Sequence, residues 1–226
     1  MRDIASLCLG ILVALLSACG SEEGLQESAG PNIIFILADD LGYGDLGCYG
    51  QELIETPHLA ALASSGMRFT QHYSGSPVCA PSRCVLLTGM HTGHAYIRGN
   101  DEWGDRGEVW DYRAMIADST LEGQRPIPAG TVNIASLLNS AGYGTGRIGK
   151  WGLGAPHTEG IPTRQGFDFF CGYNCQRQAH TYYPVHLWLN EEKLGLGNDT
   201  VAPHARLAED ADPLDMENYA PYRLAS

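Results

Sequence analysis

Residues 32–38, Asn-Ile-Ile-Phe-Ile-Leu-Ala, form an unbroken apolar, β-branched run that ends on two carboxylates, Asp39 and Asp40. A strand that is apolar at successive positions is buried on both faces, as in a largely parallel sheet covered by helices. The run therefore predicts an α/β fold. The rest of the pattern agrees with it. Residues 57–65 predict a helix closed by Gly66, and residues 67–73 a second strand. Residues 131–141 carry apolar side chains at helical spacing, with Thr131 as N-cap and Gly142 as stop. Residues 143–149 predict a strand leading into Lys150. Between these elements, residues 99–130 are rich in glycine and charge and read as a long functional excursion.

Open α/β sheets place ligand sites at the carboxyl ends of their strands, and Asp39 and Asp40 stand at such an end. Two adjacent carboxylates make a hard oxygen site suited to calcium; a solvated acidic turn is the alternative. Asp45, a few residues on, reads as a turn residue. The chain sets 14 Lys and Arg against 26 Asp and Glu, a formal net charge of −12. That balance argues against a nucleic-acid partner. It also means that an anionic substrate needs local positive charge from Arg, Lys or a metal.

The chain opens with a charged start and a short apolar run over residues 4–16, the pattern of a secretory signal peptide (1–18) too short to span a bilayer. Leu16-Ser17-Ala18-Cys19 matches the bacterial lipobox, which predicts lipidation of Cys19 and anchoring to a membrane. Residues 19–30 are small and polar and read as a flexible tether. The protein is thus expected to be an exported lipoprotein, periplasmic or held at the outer membrane. Export permits disulfides among Cys48, Cys84, Cys171 and Cys175. Cys171 and Cys175 are spaced to close a short loop, with a zinc site as the weaker alternative.

Residues 79–89 read Cys-Ala-Pro-Ser-Arg-Cys-Val-Leu-Leu-Thr-Gly. Pro81 suits a first helical turn from which Arg83 to Leu87 propagate, so Cys79 falls at a helix N-terminus, where exposed N–H groups favour an anion. Arg83 lies one turn along, in reach of a charge-assisted hydrogen bond.

The run resembles the Cys-x-Pro-Ser-Arg-x-x-x-x-Thr-Gly signature of type I sulfatases. The context Ala38-Asp39-Asp40-Leu41-Gly42-Tyr43-Gly44-Asp45 resembles their metal segment. Residues Gly149-Lys150-Trp151-Gly152-Leu153-Gly154 are similar to their Gly-Lys-Trp-His-Leu-Gly motif, with Gly152 where many relatives carry histidine. The stretch from Gly166 through Gln176-Arg177-Gln178-Ala179-His180 to Pro184 resembles the family segment bearing a histidine near the leaving-group oxygen.

The resemblance implies an alkaline-phosphatase-like α/β/α sandwich, of which residues 31–226 would be the N-terminal part, expected to be inactive alone. It implies that a maturation enzyme oxidises Cys79 to Cα-formylglycine, whose hydrate attacks sulfur. It further implies Ca²⁺ on Asp39, Asp40 and the modified Cys79, with Arg83 and Lys150 on the sulfate and His180 as acid for the leaving alcohol. Histidines 94 and 157 are candidates to replace the base absent at Gly152. The implied substrate is a sulfate ester of a carbohydrate or an aryl alcohol. Alternatives are a phosphonate or phosphate ester hydrolase of the same superfamily, or a catalytically silent, lipid-anchored binding protein.

Overall fold

A computed structural model of the chain describes residues 30–200. The expected signal peptide, Cys19 and all but the last residue of the expected tether lie outside the described residues. The chain divides after Asp45 into two units, each taken by itself.

In the first unit the run 32–38 forms no strand, which corrects the expectation from its composition. Its apolar side chains are exposed, Ile36 to 84%. A strand is defined by a ladder partner, and among the described residues none pairs with this segment; propensity alone does not supply one. Asp40 has φ 57, a left-handed conformation that Asp tolerates better than most residues. The segment ends in a 3₁₀ turn over Tyr43–Asp45. Asp45 Oδ2 accepts from Gly42 N–H at 2.6 Å, and Asp45 N–H donates to Gly42 C=O at 3.1 Å. Asp45 is a turn residue, as its position suggested.

In the second unit, α1 spans Pro57–Ser65, with proline in its first turn and Gly66 at its end, as the sequence predicts. Residues 67–73 form no strand. Side chains take part of that segment's hydrogen bonding: Tyr49 Oη donates to Phe69 C=O at 2.8 Å, and Arg68 Nη1 turns back to Cys48 C=O.

Helix α2, Cys79–Thr88, buries Ala80, Pro81, Arg83, Cys84 and Leu87. Ala80, Arg83, Cys84 and Leu87 fall at i, i+3, i+4 and i+7, on one face, with Pro81 beside them in the first turn. Gly89, at φ 67, closes the helix by donating its N–H to Val85 C=O. The excursion 99–130 is ordered by α3, Tyr112–Ala117, whose N-cap Asp111 accepts from the N–H groups of Arg113 and Ala114.

Helix α4, Ile134–Ser140, starts later than predicted. Asn133, not Thr131, is its N-cap, in a reciprocal capping box with Ser136. Thr131 Oγ1 is already bonded to Pro128 C=O at 2.7 Å.

Strand β1, Gly146–Lys150, pairs in parallel with β2, Phe169–Tyr173. Helix α5, Gln176–Ala179, follows, then β3, His186–Leu189, and β4, Glu192–Gly195. The four strands form one sheet in the order β1-β2-β3-β4, with β2/β3 and β3/β4 antiparallel. The strand predicted over 143–149 is present but starts at Gly146 and includes Lys150, and among the described residues the sheet is mixed, with one parallel pairing and two antiparallel ones, where a largely parallel sheet was expected. Gly172 is required where β1 and β2 approach, since a Cβ there would lie 2.0 Å from Gly149 O.

The core joins the buried face of α2 to Trp151, Leu153, Phe167, Phe170 and Trp188. Burying a side chain of that size stabilises by ~1.5–3 kcal/mol. Cys171 and Cys175 are free thiols, so the short-loop disulfide does not form. Cys171 lies in the extended strand β2, at ~3.3 Å per residue, which soon outruns the ~4.4–6.8 Å Cα separation of a disulfide. Cys175 is fully buried, and burial pushes its thiol up to about 12. Among the described residues no helix is long and apolar enough to cross a membrane.

Candidate active site

Cys79 is the first residue of α2, half-buried, with Val78 as an N-cap that offers no side-chain acceptor. The first N–H groups of the helix therefore depend on other partners. One is supplied at long range: Asn100 Oδ1 accepts from Ala80 N–H at 2.9 Å.

Lys150 ends β1, and its Nζ lies 3.8 Å from Cys79 Sγ. Strand and helix come together because Trp151 and Leu153, which follow β1 directly, pack with Ala80 and Cys84 in the core. The ladder also continues past β1, with Trp151 N–H donating to Tyr173 C=O at 2.9 Å and Gly152 N–H to Asn174 C=O at 3.2 Å. This fixes the backbone that carries Lys150.

Arg83, one turn into α2, is 4% exposed. Its Nε donates to Trp151 C=O at 2.7 Å and its Nη2 to Gln176 Oε1. The sequence suggested that Arg83 reaches back along its own helix; the structure adds hydrogen bonds to the chain after β1 and to α5. Gln176, 2% exposed, also donates from Nε2 to Asn100 Oδ1 at 2.8 Å.

Arg147 adds a cation that sequence reasoning missed. Its guanidinium stacks 5.3 Å from the Trp151 ring centroid, and Nη2 donates to Lys150 C=O at 2.8 Å. Burial, and then repulsion from Arg83, lowers its pKa to about 10. In a chain of net charge −12, Lys150 beside Cys79, and Arg147 near enough to Arg83 to feel its charge, gather positive charge in one region of the second unit.

His180 caps α5 and is half-buried, with its N–H donating to Gln176 C=O at 3.1 Å. It is thereby joined through one helical turn to the residue that touches Arg83. The two substitutes for the absent histidine have other contacts. His157 Nε2 lies 3.2 Å from Ser119 Oγ, and its ring meets Trp188 edge-on at 5.8 Å. His94 donates its N–H to His91 C=O at 2.7 Å and, with Arg98 and Asp101, lines a cavity of about 670 Å³.

Position 152 itself has no room for a side chain. A Cβ there would lie 2.7 Å from Gln176 Cγ and 2.9 Å from Arg83 Nη2, and the backbone has φ +72. Gln176 stands in the segment that resembles the family stretch around His180, and Asn100 in the loop excursion expected near the site, but neither position carries a signal of its partner, since a buried amide has no periodic or spacing pattern.

Asp39 and Asp40 belong to the first unit, where both carboxylates are exposed on the turn after residue 38. Their donor set, adjacent anionic oxygens without sulfur or nitrogen, fits a hard cation such as Ca²⁺.

The family model described as Sulfatase matches residues 31–214. Arylsulfatase H of Homo sapiens is 36% identical over 187 residues, covering 76% of this chain and 31% of that protein. N-acetylgalactosamine-6-O-sulfatase of Bacteroides thetaiotaomicron is 40% identical over 151 residues, covering 63% of this chain and 25% of that protein. A solved structure described as a complex with its substrate D-glucosamine-2-N,6-O-disulfate superposes with TM-score 0.52 at 28% identity, over 73% of this chain and 27% of that one. The chain therefore spans less than a third of the length of these relatives.

Proposed function

The chain belongs to the sulfatase family, with its alkaline-phosphatase-like α/β fold, and from that premise we propose that the natural protein hydrolyses sulfate esters at Cys79. The supporting observation is Lys150 Nζ at 3.8 Å from Cys79 Sγ, at the start of a helix whose next turn carries the buried Arg83.

Cys79 is proposed to be oxidised to Cα-formylglycine by a separate maturation enzyme. The hydrated aldehyde supplies one hydroxyl as nucleophile toward sulfur and the other to release sulfate as the aldehyde returns. Lys150 holds its ammonium against the nucleophile atom and balances charge as it attacks. Arg83 and the N-terminus of α2 stabilise negative charge on the sulfate oxygens. His180 gives the proton that the departing alcohol takes up as its bond to sulfur breaks. Asp39 and Asp40 would hold Ca²⁺, a cation that would supply positive charge for sulfate ester chemistry. Calorimetry of Asp40→Asn should show weaker calcium binding; unchanged affinity removes the pair from the metal site.

The relatives named for sulfated amino sugars favour a sulfated carbohydrate as substrate. The lipobox ending at Cys19 adds an anchor, which the mass of the mature N-terminus would reveal. In the natural full-length protein, Cys79→Ala should abolish turnover of 4-nitrophenyl sulfate while leaving the melting temperature within a few degrees. Retained sulfatase activity, or faster cleavage of the matching phosphate ester by the wild type, would sink the reading.

A further inference from the structure

The volume beside Gly152 is taken by Gln176, whose amide makes two different bonds. Its Oε1 faces the Arg83 guanidinium and its Nε2 donates to Asn100 Oδ1 at 2.8 Å. Asn100 Oδ1 accepts a second bond, from Ala80 N–H at 2.9 Å, at the residue following Cys79. An amide oxygen has two lone pairs, and both are used. The partners also fix which way the Gln176 amide points: reversed, it would set its N–H₂ against the guanidinium and its oxygen against Asn100 Oδ1.

We propose that Gln176 and Asn100 form an amide bracket that positions Arg83 and the amino end of the Cys79 helix, a role that rests on the sulfatase reading above. The chemistry of the bracket explains why its central residue is an amide. Arg83 is permanently charged and almost fully buried, so it needs an acceptor. A carboxylate at 176 would meet that need by pairing with the guanidinium, cancelling the charge intended for the sulfate. A neutral amide accepts the hydrogen bond without adding a negative charge of its own. The same side chain passes the constraint to Asn100, and through it to the first turn of α2. Gly152 follows as a requirement, because any Cβ at that position would displace both Gln176 and Arg83.

The test uses the natural full-length protein with Cys79 oxidised, and two variants at one position. Gln176→Leu keeps most of the volume but neither hydrogen bond. It should lower kcat for 4-nitrophenyl sulfate by about 10²-fold, the scale of a 1 Å misplacement, with little change in KM. It should also speed hydrogen exchange at the Ala80 amide, because Asn100 loses its second anchor. Gln176→Glu keeps an acceptor for Arg83 but adds a negative charge, so it should weaken binding of inorganic sulfate about tenfold or more. A residue that merely fills space would move neither the Ala80 amide nor sulfate affinity in this charge-dependent way. Unchanged Ala80 exchange in Gln176→Leu, or equal sulfate affinity in Gln176→Glu and wild type, overturns the bracket. A matured wild type that binds sulfate yet cleaves no sulfate ester defeats the sulfatase reading instead, while the exchange and sulfate-binding measurements still decide the bracket.

Discussion

Gly152 stands in a left-handed conformation, φ +72, with Gln176 Cγ and Arg83 Nη2 where a Cβ would go. Left-handed backbone costs a residue with a side chain about 1–2 kcal/mol before any contact is considered. Gly152→Ala should therefore lower the melting temperature and, by pushing Arg83 and Gln176 apart, reduce turnover far more than that loss of stability implies. A thermal melt paired with kinetics on the natural protein checks both parts; full activity would show that Arg83 adjusts freely. The contrast with Lys150 is instructive. Lys150 is named by its motif and is found beside Cys79, whereas Gly152 acquires its meaning from neighbours that the motif does not mention.

Among the elements, α4 is held at both ends of its capping residue. Asn133 Oδ1 accepts from the N–H groups of Ala135 and Ser136, while Nδ2 donates to Thr131 C=O at 3.1 Å and Gln165 C=O at 2.9 Å. The last of these ties the helix to the crossover that leads into β2. Asn133→Ala should cost about 0.5–2 kcal/mol, the usual range for an N-cap, measured by urea denaturation. A change below that range would mean that Gln165 is held in place by its other bonds, to Pro128 and Glu159. The predicted boundary at Thr131 was displaced for a local reason, since threonine and asparagine are both good caps and only their competing bonds separate them. The two predicted strands at 32–38 and 67–73 failed for a different one: apolar alternation or runs report that a segment is fit to pair, and pairing depends on what lies beside it.

Over the whole molecule, acidic groups outnumber basic ones, yet among the described residues of the second unit two carboxylates are buried. Glu122, fully buried, accepts from Trp188 Nε1 at 2.7 Å and lies 3.1 Å from His186 Nε2. Glu102 is 8% exposed, and burial raises its pKa from 4.5 to about 7 against the opposing pull of Arg177. The native state thus keeps a proton between pH 4.5 and about 7 that the unfolded chain has released. Stability from this group is greatest below pH 4.5, falls as pH rises through that window, and levels off above it. Glu102→Gln mimics the protonated form and should narrow the gap between melting temperatures at pH 5 and pH 8, chiefly by raising the value at pH 8. An unchanged gap would show that Glu102 does not titrate in that range.

The sequence by itself determined the family, the helix that begins at Cys79, the helix at 57–65, and the arrival of Lys150 at a strand end. These are local facts: a cysteine, a proline and an arginine within one turn dictate where a helix starts and what its first turn presents. Tertiary structure alone decided what holds the site in shape. Gln176 meets Arg83 across 93 residues of chain and Asn100 across 76. Contacts of that separation leave no period, cap or turn signal, because the sequence encodes them only through the packing that brings α2, β1 and α5 together.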